Sequence, residues 1–424
     1  MRKLMTALAA SALALVATAD QSIAQTTKEI TIWSHWAAEQ PKRQFVESAI
    51  AEFEAKNPGI KIKATWYEKT ALYAALKTAL RAGQAPDVFY AEPDQVEYMD
   101  NAFLLDLSAL DWSKVEPWAK DAWTYKGTPY GLPLEAWTVE LYYNRNALAD
   151  LGVTLPANLQ LAPDAFLDMV KKAKGKGLTP MALGAGDRPF TGAHLTHEAL
   201  LKKLGVADYA SLLAGKLLWT DPRVVDTLKW VRSLTDAGML PATFTTLKLA
   251  EAHGYFHTNP GALTFLVGSW YTSRAFNPVD KGGQPTNFPL GIMQFPAPPT
   301  AACPECRSIA VGGSYVANAA TKHSKEIMEF FSSFMRPEVG NRWLDNVKVQ
   351  TGIKSDPAKM ADVQAADYFK MIATTNAGAK YHFGIPIQVM SGKPKEVFTQ
   401  IINNAFPAGT ISVDDAVKQL AASY

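Results

Sequence analysis

An α/β fold divided between two domains is predicted by the sequence, on three observations. Strand-like and helix-like segments alternate from the start of the chain, and its 424 residues exceed what one hydrophobic core usually organises. The apolar run near the start is too short and too Ala-rich to be a membrane span, so the remainder has to fold around buried cores of its own.

The elements follow in order. Arg2 and Lys3 precede the apolar run LMTALAASALALVATA, and Ser22-Ile23-Ala24 is a small-x-small site before Gln25. This is the pattern of a secretory signal peptide over 1–25. No Cys follows the cleavage site to accept a lipid, so a free, exported, soluble protein starting near Gln25 or Thr26 is expected. EITIWSHW alternates and is rich in β-formers, giving a first strand that ends at Ser34 and His35. PKRQFVESAIAEFEAKNPG then carries Phe45, Ile50 and Phe53 near helical spacing and is stopped by Asn57-Pro58-Gly59. IKIKATWY reads as a second strand, ALYAALKTALRAG as a helix capped by Gly83, and PDVFYA as a third strand. That order implies a parallel layer, with ligands beyond the carboxyl ends of its strands.

Helical segments dominate 160–260, among them APDAFLDMVKKAKGKG, HEALLKKLG and DPRVVDTLKWVRSLTDAG. GALTFLVGSW is a strand running into Trp270, and NFPLGIMQFPAPP is an extended, Pro-rich crossing. SIAVGGSYVANAA leads into the helix SKEIMEFFSSFM, and the chain ends helically at SVDDAVKQLAASY.

A formal net charge of +2 makes nucleic acid and anionic membrane poor partners. The 11 Trp and 15 Tyr suit carbohydrate rings where they are exposed and a core where they are not. Cys303 and Cys306 in ACPECR form a CxxC pair; in an exported chain the reading is a structural disulfide shaping a short loop, a redox dithiol being the alternative. No nucleophile elbow, HExxH or P-loop is present, and His194 with His197 gains no carboxylate that would complete a metal site. Neither catalytic residues, nor a metal, nor a cofactor is expected. A retaining glycosidase needs two facing carboxylates. Glu135 and Glu140 in YGLPLEAWTVELYYNRN would lie on opposite faces of one strand, which leaves a surface or hinge role for Glu140.

ITIWSHW, FEAKNPGIKIKATW, ALKTALRAGQAPDVFYAEP, FLLDLS, GTPYGLPLEAWTVELYYNRNAL, GSW, VGGSYVAN and INNAFPAGTISVDDAV follow one another in an order that resembles one family. It is the extracellular solute-binding proteins of bacterial ABC importers, in their carbohydrate-binding, maltodextrin-binding-protein-like group. The resemblance covers nearly the whole mature chain. It implies a monomeric periplasmic protein of two α/β lobes, joined by a hinge and closing on a carbohydrate ligand for delivery to a membrane permease. The first lobe would comprise 26–135 and 295–346 and the second 139–290 and 350–424, with hinge segments near 135–139, 290–295 and 346–350.

It also implies where ligand is met. Glu135 and Trp137 lie on the strand that passes along the cleft floor. Ser34, His35 and Trp36 end the first strand, with burial of Trp36 as the alternative. Asp87 matches an acidic position that accepts from sugar hydroxyls, or else serves its own turn. Trp270 matches a stacking tryptophan, and Gly312 and Gly313 a loop whose backbone approaches ligand. Two features point to an acidic sugar derivative, such as a sulfonated or phosphorylated one. The amides of the glycine-rich GAGDRPFTGAH loop, around Gly186, could hold an anion, and Arg188, Arg307 and Arg342 lie near cleft loops; glycines that turn the chain and arginines at the surface are the ordinary alternative. Polyols and glycerol phosphodiesters are the neighbouring ligand classes.

Overall fold

In KEITIWS, Ile30, Ile32 and Ser34 are buried while Lys28 and Glu29 are exposed, the period of two that a strand with one covered face requires. A computed structural model places this segment as an interior strand, next to one edge, of the first of two large sheets. The structure describes residues 27–257 and 261–424; the signal peptide expected over 1–25 lies outside the described residues.

Lys28–Ser34 pairs in parallel with Ile60–Trp66 on one side and Val88–Ala91 on the other. The helices Gln40–Lys56 and Lys69–Arg81 make the crossovers. Gly83, past the second helix, sits at φ +66°, the left-handed conformation that glycine adopts without a Cβ clash. Ser314–Ala317 returns antiparallel beside Val88–Ala91, and Gly131–Pro133 closes the sheet.

The second sheet is built around Ala136–Asn144, which pairs antiparallel with Ala262–Gly268, Leu290–Met293 and Cys306–Val311. Thr179–Ala182 and Lys380–Phe383 form its edges. Trp137, Val139, Leu141 and Met293 pack into one core with helices Pro163–Gly175, His194–Leu213 and Pro222–Asp236. Tyr142, Phe265 and Ile292 face a second cluster, continuous with the core of the first sheet. Among the described residues no helix is long and apolar enough to cross a membrane.

The expected segment boundaries need two corrections. Leu290–Met293 lies inside the second sheet, against Leu141–Asn144, so 290–295 is not where the chain changes sheet. Cys306–Val311 also belongs to the second sheet, and the return to the first occurs at Gly312 and Gly313, immediately before Ser314–Ala317. The Pro-rich NFPLGIMQFPAPP, 287–299, was expected to cross between lobes, but this segment stays with the second lobe. Gln160 holds it by donating to the carbonyls of Phe295 and Pro304 at 2.9 and 3.1 Å.

Cys303 and Cys306 are joined by a disulfide. The buried Lys202 Nζ donates to the carbonyls of Pro304 and Cys306 at 2.7 and 2.8 Å, so the loop is held by a buried amino group, its pKa lowered to about 7 by burial and then by Arg307, as well as by a covalent bond.

Candidate functional site

The passage from one sheet to the other is made at Leu134 and Glu135, and here the crossing segments bind one another. The Glu135 amide donates to the Gly313 carbonyl at 2.9 Å, the Gly312 amide to the Glu135 carbonyl at 2.8 Å, and the Ala136 amide to the Gln350 carbonyl at 2.8 Å. Beside this junction a cleft partly open to solvent, with about 120 Å³ of room inside it, runs between the sheets. A Cβ on Gly313 would stand 2.6 Å from the Trp36 ring and 2.8 Å from Tyr90. Glycine at 313 is therefore what lets the crossing lie flat on the aromatic layer beneath it.

The first lobe supplies a chain of ionised and hydrogen-bonding groups. Lys42 is buried on the same face of its helix as Phe45, Val46 and Ala49, and its ammonium lies 2.8 Å from Glu135 and 2.7 Å from Glu39. Burial works against that ammonium, but Glu135 and Glu39 outweigh it and hold its pKa above the ordinary lysine value. Burial likewise opposes ionisation of Glu39, yet Lys42 and then His35 pull this carboxyl down to about 2. His35 is lowered to about 4 by burial, against the pull of Glu39, and is neutral at pH 7. Lys69 and the hydroxyls of Tyr90 and Tyr73 all donate to Glu92, at 2.6, 2.6 and 3.1 Å. Asp94, raised to about 6 by burial and then by Glu92, keeps one shielded oxygen, Oδ1, without a partner among the described residues.

The second lobe supplies rings. Trp137 and Trp270 meet edge to face with centroids 4.6 Å apart, and Phe190 meets Trp270 at 6.1 Å. The GSW sequence explains the pose of Trp270: a Cβ on Gly268 would come within 1.9 Å of the indole, so only glycine leaves room for the ring over the end of that strand. The Trp270 Nε1–H is shielded and has no acceptor among the described residues. A shielded donor or acceptor without a partner costs about 1–3 kcal/mol. Trp270 Nε1–H and Asp94 Oδ1 thus form an unmatched donor and acceptor in one cleft.

Of the residues singled out in the sequence, the structure brings His35, Glu135, Trp137, Trp270 and Gly312 to this cleft. Trp36 and Ser34 are wholly buried beneath it. Trp36 packs on Tyr90, Tyr315 and Trp343, and Ser34 accepts from the Tyr315 hydroxyl at 2.9 Å. Asp87 is spent on distant protein partners rather than on ligand or on its own turn: it accepts from the Thr31 amide and hydroxyl at 2.9 and 2.8 Å and from Thr321 at 2.6 Å. Gly186 lies against the backbone of Thr246 and Leu247, to which its amide is committed. The amides of Ala185, Ala193 and His194 also donate to protein acceptors, so that loop offers no free amide cradle at these positions.

Arg342 is paired with Glu52 at a separate surface hollow. Arg307 and Glu140 form an ion pair inside the second lobe, 3% and 0% exposed in their side chains; Glu140 is neither a surface nor a hinge residue. Of the three arginines expected near the cleft, Arg188 alone lines it. Sequence reasoning missed Lys42, Glu39, Tyr90, Glu92, Asp94, Phe190 and Arg274, all cleft residues. Lys42 had a signal: it stands three and four residues before Phe45 and Val46, on the apolar face.

Comparison with known proteins identifies the family and the fold. Residues 37–341 match the family model described as bacterial extracellular solute-binding protein. A periplasmic-binding protein of Escherichia coli, named as that of an ABC transporter, is 25% identical over 227 residues, which is 51% of each chain. The aligned part of the chain thus spans about half the length of that relative. The multiple sugar-binding protein of Streptococcus mutans is 24% identical over 330 residues, 74% of each chain. Among solved structures, a chitin oligosaccharide binding protein superposes with a TM-score of 0.79 at 22% identity, covering 93% of this chain and 98% of that one. At that identity the likeness is one of fold.

Proposed function

The chain belongs to the bacterial extracellular solute-binding proteins, and from that premise we propose that it captures a carbohydrate or carbohydrate derivative and delivers it, chemically unchanged, to the permease of an ABC importer. One observation carries this reading. An indole wall in one lobe faces a hydrogen-bonding array in the other, and among the described residues the unmatched side-chain atoms between them are one donor, Trp270 Nε1–H, and one acceptor, Asp94 Oδ1. A sugar offers apolar ring faces for indole and hydroxyls that both donate and accept. The neutral His35 and the carboxylates held ionised by Lys42 and Lys69 are oriented before ligand arrives, which lowers the cost of binding.

The mechanism follows from the division of the site between lobes. Ligand contacts both sets of groups only when the lobes meet, so binding shifts the population toward the closed form, which the permease reads. The crossings at 134–136, 312–313 and 348–350 are the segments about which the lobes would turn. A monomer suffices, because one chain carries both walls. A glycosidase reading gains no support from the carboxylates: Glu135 is bonded to Lys42 and Glu140 is enclosed in the core.

The test is a thermal-shift and calorimetric screen of the mature protein against neutral oligosaccharides, acidic sugars and polyols, with the ligand recovered afterwards. Ligand at a hundred times its dissociation constant adds about 2.7 kcal/mol, a shift of roughly 2–4 °C or less for a chain of this size. Stoichiometric binding of an intact saccharide supports the reading. Turnover of the ligand, or binding confined to polyols, overturns it.

A further inference from the structure

The cleft does not end at the indole wall. A second cavity adjoins it and shares His35, Glu39, Lys42, Lys69, Arg188 and Arg274 with it. In the inner cavity acidic and basic side chains are equal in number, four of each. The outer one is lined by two carboxylates, Glu39 and Glu68, and by the four cations Lys42, Lys69, Arg188 and Arg274. His35 adds no charge at pH 7, since burial holds it neutral.

Those four cations are not equivalent. Lys42 is neutralised by Glu39 and Glu135, and Lys69 by Glu92, all at 2.6–2.8 Å. Arg188 has one loose partner, Asp187 at 3.6 Å, and its side chain is 37% exposed. Arg274, on the short helix Tyr271–Ala275 that follows Trp270, is half-buried and has no carboxylate within ion-pair distance among the described residues. Glu39, whose field it feels, is already committed to Lys42. Two guanidinium groups with spare donors thus border the outer end of the cleft, and guanidinium presents a planar fork that matches carboxylate, sulfate and phosphate oxygens.

Resting on the carbohydrate reading, we propose that Arg188 and Arg274 form a subsite for an acidic substituent, so that the ligand is a sugar derivative carrying one carboxylate, sulfate, sulfonate or phosphate group. The sugar ring lies on Trp270 and its acidic group reaches outward between the two guanidinium groups. Arg274 stands four residues after Trp270 in the sequence, so ring contact and charge contact come from the same turn of chain. The side chains carry this subsite; the glycine-rich loop near Gly186 does not, since the amides named above are spent on protein acceptors.

The experiment is a calorimetric comparison of matched pairs: glucose with glucuronate, galactose with galacturonate, glucose with glucose 6-sulfate, and neutral di- and trisaccharides with their uronic-acid counterparts. The expected result is that the acidic member of at least one pair binds tenfold or more tightly than its neutral partner. This preference should shrink as salt rises and collapse in Arg274→Gln and in the Arg188→Gln/Arg274→Gln double variant. Arg274→Lys, with the charge but not the fork, should restore part of it, and unchanged melting temperatures establish that the variants are folded. Neutral members binding as well as or better than acidic ones in every pair that binds, or a preference that survives in the double variant, overturns the subsite and leaves the carbohydrate reading standing. If no member of any pair binds, the carbohydrate reading itself fails and the subsite falls with it.

Discussion

Glu135 and Glu140 stand five residues apart on one continuous segment, both almost fully buried, and each has a basic partner. Their surroundings differ. Glu140 is enclosed by Arg307, Thr138, Thr375 and Asn376, deep in the second lobe. Glu135 has Lys42 on one side and the cleft on the other. Similar chemistry is therefore placed in two settings: a closed network inside a core, and an open one that leaves a charge facing the cleft. The strand runs from the crossing into the second lobe, so position along it decides which setting a carboxylate is given.

The sharpest way to break this comparison is to neutralise one charge in each network. Arg307→Met leaves Glu140 charged and buried without its partner, and the expected loss of stability is about 3–5 kcal/mol, read from urea unfolding. Glu135→Gln leaves Lys42 still bound to Glu39, so its stability loss should be the smaller of the two while its loss of ligand affinity is the larger. Equal destabilisation by the two variants would make the cleft network another piece of scaffold.

Acid sharpens the same contrast. The folded His35 has a pKa of about 4 against an ordinary 6.5, so in that interval the unfolded chain binds a proton that the folded chain does not. The contribution is fully present above about pH 6.5 and is lost as pH falls toward 4, up to about 3 kcal/mol. His35→Gln should flatten the stability curve between pH 7 and 4.5 by on the order of 2–3 kcal/mol. The other buried histidines, His194, His197 and His253 among them, are lowered in the same direction by burial and supply the slope that remains. Superimposable curves for the two proteins would mean that His35 is not held neutral by the cleft.

Trp270→Ala removes the ring wall and leaves the polar array of the first lobe in place. Affinity for the best saccharide found should fall tenfold or more, about 1–3 kcal/mol, by calorimetry. Unchanged affinity in a folded variant would transfer recognition to the polar side alone.

How far the sequence could be read is itself explained by range. The strand and helix alternation through Ala91, the strand ending at Trp270 and the crossing at Glu135 rest on local periodicity and on short motifs, and the elements lie where that periodicity puts them. The cleft residues that were missed depend on distant partners. Lys42 meets Glu135 across 93 residues, and Arg274 matters because no carboxylate among the described residues comes within ion-pair distance of it, which no local pattern records. Trp36 and Asp87 erred the other way. Each has the chemistry of a ligand contact, yet Trp36 is covered by Tyr90, Tyr315 and Trp343, and Asp87 is occupied by Thr31 and Thr321.

Arg342 isolates the difference between bearing a charge and placing it. On sequence grounds it stood beside Arg188 as a candidate for an acidic group; in the fold it pairs with Glu52 on the outer face of the first lobe, both side chains more than a third exposed. Water and salt screen such a pair, which contributes about 0–1 kcal/mol. Arg342→Ala should therefore leave saccharide affinity unchanged and shift stability by no more than that, whereas Arg274→Gln acts on affinity for acidic sugars. A loss of binding in Arg342→Ala at unchanged stability would require a path from that outer face to the cleft, and Phe45 and Trp343, which lie between them in the core, would be the residues to vary next.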